Sequence, residues 1–528
     1  MRPWWNDAVV YQIYPRSFAD SDGDGVGDLP GITAHLDHLV WLGVDTIWLS
    51  PITVSPNADY GYDVADYCAV DPSLGTTADL DALLGAAGER GIRVLLDLVP
   101  NHTSIAHPWF VEARTSRDAA HRDWYVWADP APDGGPPNNW VSTFVGPAWE
   151  LDAGTGQYFL HNFLPEQPDL NWWNDEVRDE FDRILRFWFD RGVTGFRIDV
   201  AHMLVKDADL RDNPPAGDRD HWMDRLLGQR QVYNACRPDV HEVYRRWRRI
   251  ANTYDPPRLL LGETLLFDLP GLASFYGHDD ELGLAFNFPF LHADFGAETL
   301  RAIVAATEAA LPADAWPVWA MSNHDVSRFA TRWCAGDPGL TRVALLLLLT
   351  LRGTPVLYYG DELGMVDTVV PPERQLDPVT IAFAGIIDRD AARTPMPWST
   401  APGAGFTAAG VEPWLPFGDL GAGTVADQRA DPGSVLHLVR DLLALRRTTP
   451  DLREGGYHDL GVEGPVWSFR RGAGVQVVLN PGDTSVSVPL VLDRARVALR
   501  TDRVGEGDPA QGSVAVPARG GLVVVTDD

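Results

Sequence analysis

Four short segments place acids or histidines at the ends of apolar runs. In Gly195-Phe196-Arg197-Ile198-Asp199, strand alternation puts Arg197 and Asp199 on one face and turns Phe196 and Ile198 to the other. A guanidinium beside a carboxylate favours its ionised form, which a nucleophile requires; the same two residues also read as a structural ion pair. Leu259-Leu260-Leu261-Gly262-Glu263 ends with a glutamate at the mouth of an apolar strand. A raised pKa there would suit a proton donor, and a helix N-terminal acid is the plainer reading. Ser322-Asn323-His324-Asp325 offers either a sugar-binding His–Asp pair or an ordinary turn network. Asp97-Leu98-Val99-Pro100-Asn101-His102 adds a further polar cluster. Each is weak alone; four on one rim form a constellation.

A second pattern is Asp20-Ser21-Asp22-Gly23-Asp24-Gly25-Val26-Gly27-Asp28. Its acids fall at positions 1, 3, 5 and 9, and the Val26 carbonyl falls at position 7. That is the ligand spacing of a calcium loop, with Gly25 at the turn. Gly31 stands at position 12 in place of a glutamate, so a full EF-hand is not supported. An Asp/Gly surface turn is the alternative. His35 and His38 fit a helix exterior and are assigned no metal.

The elements that must position these groups alternate over the first 360 residues. Strands are expected at Val9–Tyr14, Thr46–Leu49, Arg93–Leu98, Gly195–Ile198, Leu259–Leu261, Leu284–Phe288, Val318–Met321 and Pro355–Tyr358. Ile32, Leu36, Leu39 and Val40 follow helical spacing, as do Val177, Phe181, Ile184, Leu185 and Trp188. Eight strands alternating with helices predict an α/β fold, a (β/α)8 barrel, whose chemistry belongs at the C-terminal strand ends. The expected organisation is a first part of the barrel over 1–101, an inserted subdomain over 102–173, and the rest of the barrel over 174–454. An irregular insert lies near 361–432. The insert after the third strand is Trp-, Gly- and Pro-rich and too long for a bare loop. From 455 to 528 the pattern changes to short strands, read as an antiparallel β-sandwich.

Composition bounds the partners. The chain has 528 residues, 74 acidic against 43 basic, for a formal charge of −31. Lys206 is its single lysine. Such a balance excludes a nucleic-acid footprint and docking on anionic membranes, and it suits a neutral substrate. Cys68, Cys236 and Cys334 imply no disulfide framework and read as buried free thiols. The N-terminus lacks a signal pattern, and the longest apolar run, Val343 to Leu351, is too short to span a bilayer. A cytoplasmic protein is expected, with monomer and dimer both open.

The residues carry a resemblance. The chain resembles glycoside hydrolase family 13, the α-amylase family, and within it the α-glucosidases and oligo-1,6-glucosidases. Val10–Phe18 looks like the family's first strand, and Asp97–His102, Gly195–Asp199, Gly262-Glu263 and Asn323-His324-Asp325 match four of its motifs in order. Gln167–Trp172, Gly360-Asp361-Glu362 and Arg393–Trp398 match further. The resemblance implies that Asp199 is the nucleophile, Glu263 the general acid/base and Asp325 the transition-state stabiliser of a retaining mechanism. It implies that Asp59, Tyr62, His102, Arg197, His324 and Arg393 hold the terminal glucose. Asp59 and Arg393 would form the pair that closes the pocket in exo-acting members, although Arg389 lies close by on the same irregular segment. It also supports structural Ca²⁺ or Mg²⁺ at Asp20, Asp22, Asp24, Val26 and Asp28, and no organic cofactor.

The expected activity is that of an exo-acting retaining α-glucosidase on short neutral oligosaccharides or disaccharides, releasing glucose from maltose-type α-1,4 links. Val200, directly after the nucleophile position, permits α-1,6 links as well, whereas Lys206–Pro215 looks more like the broader bacterial α-glucosidases. The alternative is a glucosyl-transferring or isomerising enzyme with the same three acids. A non-catalytic relative of this fold would carry a membrane segment and an incomplete acid set, and neither holds here.

Overall fold

The computed structural model describes residues 2–218, 220–382 and 387–527. The eight expected strands form one parallel sheet: β1 (Val10–Ile13), β2 (Thr46–Leu49), β3 (Arg93–Leu98), β4 (Gly195–Ile198), β5 (Leu259–Gly262), β6 (Leu284–Ala285), β7 (Val318–Ala320) and β8 (Thr354–Tyr358). Their order is β6-β5-β4-β3-β2-β1-β8-β7. A parallel bridge between Phe286 and Val318 draws the two edges together, so the sheet is a nearly closed barrel.

Alternation decides what fills it. Val10, Trp48, Leu95, Leu259, Leu261, Leu284, Val318 and Val356 pack together inside the barrel, while Phe196, Ile198, Leu96 and Leu260 join the layer shared with the outer helices. The expected split of the Gly195–Asp199 faces is therefore observed. Asp175–Asp190 is a helix because Asn174 caps it, its side chain accepting from the Glu176 N–H at 2.8 Å, and Asp175 and Glu176 suit its first turn. Val177, Phe181, Ile184, Leu185 and Trp188 form its buried stripe. Around His35 the expected single helix is instead two, Leu29–Ala34 and Leu36–Leu42. That break turns Val40 outward to 45 % exposure and buries His38, contrary to the helix-exterior reading.

After β3 the chain leaves the barrel through a helix (Pro108–Ala113) and a three-stranded antiparallel sheet, Trp127–Ala128, Gln157–Leu160 and Trp149–Asp152. The apolar Val343–Leu351 run is the core of a helix, Pro338–Thr350, buried between the helix Val435–Thr448 and the last strand, Gly520–Thr526. Its C-terminal carbonyls face two buried arginines. Arg446 donates to Leu349 O and Leu351 O, both at 3.0 Å, and Arg471 to Thr350 O at 2.6 Å, which suits a helix C-terminus. The tail is a six-stranded antiparallel sheet facing a two-stranded one. Its edge strand Tyr457–Glu463 leaves much of its length exposed. Among the described residues no helix is long and apolar enough to cross a membrane. The three cysteines are free; Cys334 is buried, but Cys236 lies at the surface.

Gly195 opens β4, where a Cβ would lie 2.4 Å from Leu259 O and 2.9 Å from the Leu95 side chain. Gly195→Ala should lower stability by about 1–3 kcal/mol through overpacking. A thermal midpoint equal to that of the parent would contradict this close packing.

Candidate active site

β4 delivers Arg197 and Asp199 to the barrel mouth, and β5 delivers Glu263 beside them. The Arg197 guanidinium organises the centre. Its Nη1 donates to Asp97 Oδ1 at 2.8 Å and Asp199 Oδ1 at 2.9 Å, and its Nη2 donates to Glu263 Oε2. It is 1 % exposed and stacks 5.1 Å from the Trp48 ring. Val200, immediately after Asp199, has φ +36°, a costly conformation for a β-branched residue. It turns the Val200 N–H toward Glu263 Oε2 at 3.1 Å.

One guanidinium cannot balance three carboxylates. Burial pushes Asp97 up to about 7 against the pull of Arg197, and burial likewise raises Asp199 against the same guanidinium. Arg197 is thus the cation that opposes burial for both carboxylates.

Asp325 sits opposite in a different environment. Burial alone would raise it, yet the Arg389 and Arg393 guanidiniums hold it well below the usual carboxylate range. Arg389 Nη1 and Arg393 Nη2 reach Asp325 Oδ1 at 3.1 and 3.0 Å. His324 lies 3.1 Å from Asp325 Oδ2 and stacks on Tyr62 at 5.3 Å. Burial lowers this histidine to about 3, so it stays neutral. Tyr62 OH donates to Asp97 Oδ2 at 3.2 Å, and His102 Nε2 lies 3.0 Å from Tyr62 O.

These groups surround a cavity of about 350 Å³. Asp59, Tyr62, His102 and Val200 line it together with Asp199, Glu263 and Asp325. Arg197, His324 and Arg393 are fully buried behind that lining, so they hold the lining residues in place. The expected Asp59–Arg393 pair is corrected: Asp59 Oδ1 accepts from Arg389 Nη2 at 2.8 Å. Arg393 instead lies inward, donating to His324 O at 2.7 Å. The cause is Asp377, which binds both arginines and aims Arg389 outward. Sequence reading singled out neither Asp377 nor the apolar residues of the mouth, because irregular loops supply them without periodicity.

Lys206 lies beneath the His102 side of the site. Its buried Nζ is 2.7 Å from Asp169 Oδ2 and 2.6 Å from Asn101 Oδ1, and it donates to Leu204 O at 3.2 Å. Asp169 also accepts from the Asn162 backbone N–H and side-chain Nδ2 at 2.8 and 2.7 Å. The single lysine therefore ties the segment after β4 to the end of β3 and to the inserted subdomain.

In the first barrel loop, Asp20, Asp22 and Asp28 bring carboxylate oxygens within 4.8 Å of one another, a donor set able to coordinate a metal ion. Asp24 is not part of that trio; it is exposed, and its carboxylate accepts from the Val26 N–H at 2.8 Å. The loop docks on a distant segment through Asp20 N to Phe406 O at 2.8 Å and Trp414 N to Gly25 O at 3.0 Å.

A parallel barrel with three carboxylates at the C-terminal ends of its strands is the arrangement of an enzyme. Residues 12–455 match the family model described as α-amylase, catalytic domain, and the chain belongs to the α-amylase family. It is 40 % identical over 516 residues to a probable α-glucosidase of Rhizobium meliloti, covering 93 % of this chain and 92 % of that one. It is 38 % identical to an oligo-1,6-glucosidase of Heyndrickxia coagulans, covering 88 % and 89 %. Among solved structures, an α-glucosyl transfer enzyme superposes with TM-score 0.93 at 42 % identity over the whole of both chains. A trehalulose synthase from Pseudomonas mesoacidophila superposes with TM-score 0.90 at 31 % identity, covering 99 % and 100 %.

Replacing Lys206 by Met would leave the Asp169 carboxylate buried without its cation. A loss of about 3–5 kcal/mol is expected, with proteolytic nicking of the 102–173 segment preceding global unfolding. Unchanged melting and unchanged nicking would show that the lysine is dispensable as a tie.

Proposed function

We propose that this chain is an exo-acting α-glucosyl transfer enzyme. It takes the non-reducing glucosyl unit of a short α-glucoside and passes it to an alcohol acceptor, with release of free glucose as the competing outcome. Asp199 attacks the anomeric carbon while Glu263 protonates the departing oxygen. Glu263 then removes the proton of the incoming hydroxyl as it displaces Asp199. Asp325, held ionised by its arginines, stabilises the positive charge that develops on the sugar.

The observation that carries this reading is the shape of the cavity around those acids. Asp59 and Arg389, joined by a 2.8 Å hydrogen bond, line one part of it, where a terminal glucose would present its far hydroxyls. Phe144, Phe163, Trp222, Leu226 and Phe288 also line it, together with the polar Thr143, His292, Asn323 and Asp388. The full-length likeness to an α-glucosyl transfer enzyme supports transfer, and the likeness to a probable α-glucosidase supports hydrolysis as its competitor. Val200 beside the nucleophile is compatible with α-1,6 as well as maltose-type α-1,4 donors. Asp20, Asp22 and Asp28, with the Val26 carbonyl nearby, would hold Ca²⁺ or Mg²⁺. Such an ion would supply charge neutralisation to the first barrel loop, and no step of the reaction passes through it.

Two measurements test the proposal. Asp199→Asn should retain less than about 1 % of parental turnover; greater activity would remove Asp199 from the nucleophile's role. Incubation with maltose, isomaltose, sucrose, trehalose and starch, with products resolved over time, should give glucosyl-transfer products from the disaccharides and little attack on starch. Rapid starch depolymerisation with little glucose would overturn the exo reading, and glucose as the sole product at high donor concentration would overturn transfer.

A further inference from the structure

Four aromatic rings stand in a column that ends at the cavity. Tyr62, which lines it, stacks on His324 with centroids 5.3 Å and planes 2° apart. His324 stacks on Tyr14 at 6.1 Å and 24°, and Tyr14 stacks on Trp414 at 5.9 Å and 21°. These spacings are those of offset aromatic stacks. Tyr62, His324 and Tyr14 are buried, whereas Trp414, from the segment after β8, is half-buried and stands outside the cavity lining. The Arg393 guanidinium lies 5.3 Å from the Tyr14 ring, within reach of a cation–π contact.

Trp414 reaches the same residues by two further routes. Its ring packs 5.7 Å from Tyr60, which stands between Asp59 and Gly61-Tyr62 in a turn closed by Tyr62 N donating to Asp59 O at 3.0 Å. Tyr60 has φ +46°, a conformation that a bulky side chain rarely adopts and that persists only where its neighbours hold it. Trp414 holds that ring together with Arg16, whose guanidinium is 5.8 Å away. In the second route the Trp414 indole Nε1 donates to Ser17 Oγ at 3.0 Å, and that hydroxyl donates to Arg393 O. Behind the ring, Trp414 N donates to Gly25 O at 3.0 Å. The backbones approach so closely there that a Cβ on Gly25 would fall 2.3 Å from Glu412 O.

We infer that Trp414 is a positioning residue for the terminal glucosyl unit: from outside the cavity it holds the Tyr14–His324–Tyr62 stack and the Asp59–Tyr62 turn in place. The inference rests on the glucosyl reading of the cavity and adds to it a residue that touches no substrate. Asp59 and Tyr62 meet the sugar in the ground state and the transition state alike, so an error in their placement falls on binding and appears in KM. Asp199 and Glu263 are ordered separately, by the Arg197 guanidinium on the neighbouring strand. The chemical step therefore keeps its geometry when Trp414 is lost.

The test compares the parent with Trp414→Leu and Trp414→Phe. For each chain kcat and KM are measured with the fastest disaccharide donor, together with the thermal midpoint. Calorimetry gives the dissociation constant of deoxynojirimycin, a basic amino-sugar mimic of glucose. Trp414→Leu is expected to raise KM and that dissociation constant about tenfold, the effect of a modest misplacement of binding groups, with kcat within about threefold of the parent. Trp414→Phe keeps a ring against Tyr14 and should recover most of the loss. A lowered midpoint with unchanged deoxynojirimycin affinity in Trp414→Leu would reduce Trp414 to core packing and overturn the inference, as would a loss confined to kcat. An equal loss in Trp414→Phe would overturn stacking as the route. Failure of deoxynojirimycin to bind the parent would overturn the glucosyl reading and the inference with it. Trp414→Met decides the same point if Trp414→Leu does not fold.

Discussion

The site depends on keeping several carboxylates dry and close together without letting them repel one another apart. Arg197 meets that constraint at the centre, touching Asp97, Asp199 and Glu263 with one planar guanidinium. Its fork geometry is what lets a single cation serve three acids. On the other side Arg389 and Arg393 are shared among Asp325, Asp59 and Asp377, and Asp325 is held well below the usual carboxylate range.

The same constraint explains the architecture beyond the barrel. Arg389 must cross from a segment after β8 to Asp59 near the end of β2, a contact spanning 330 positions in sequence. Asp377 fixes its direction by binding it from behind. Lys206 plays the corresponding part under the inserted subdomain, where Asp169 would otherwise be a buried anion without a cation. The inserted subdomain and the post-β8 segment are therefore held to the barrel by buried charge as well as by apolar packing. Removing one partner of such a pair costs more than the pair contributes.

The sequence by itself determined whatever depends on local alternation. Phe196 and Ile198 had to face the helices and Arg197 and Asp199 the barrel axis, because side-chain direction in a strand repeats every two residues. For the same reason eight strands and the stripe on Asp175–Asp190 were legible. Tertiary structure decided everything carried by irregular chain. It chose Arg389 over Arg393 for Asp59, removed Asp24 from the carboxylate trio, buried His38, and assembled Phe144, Trp222, Leu226 and Phe288 into one wall. None of these follows from a period, since each depends on the path of a loop that is set by partners hundreds of residues away.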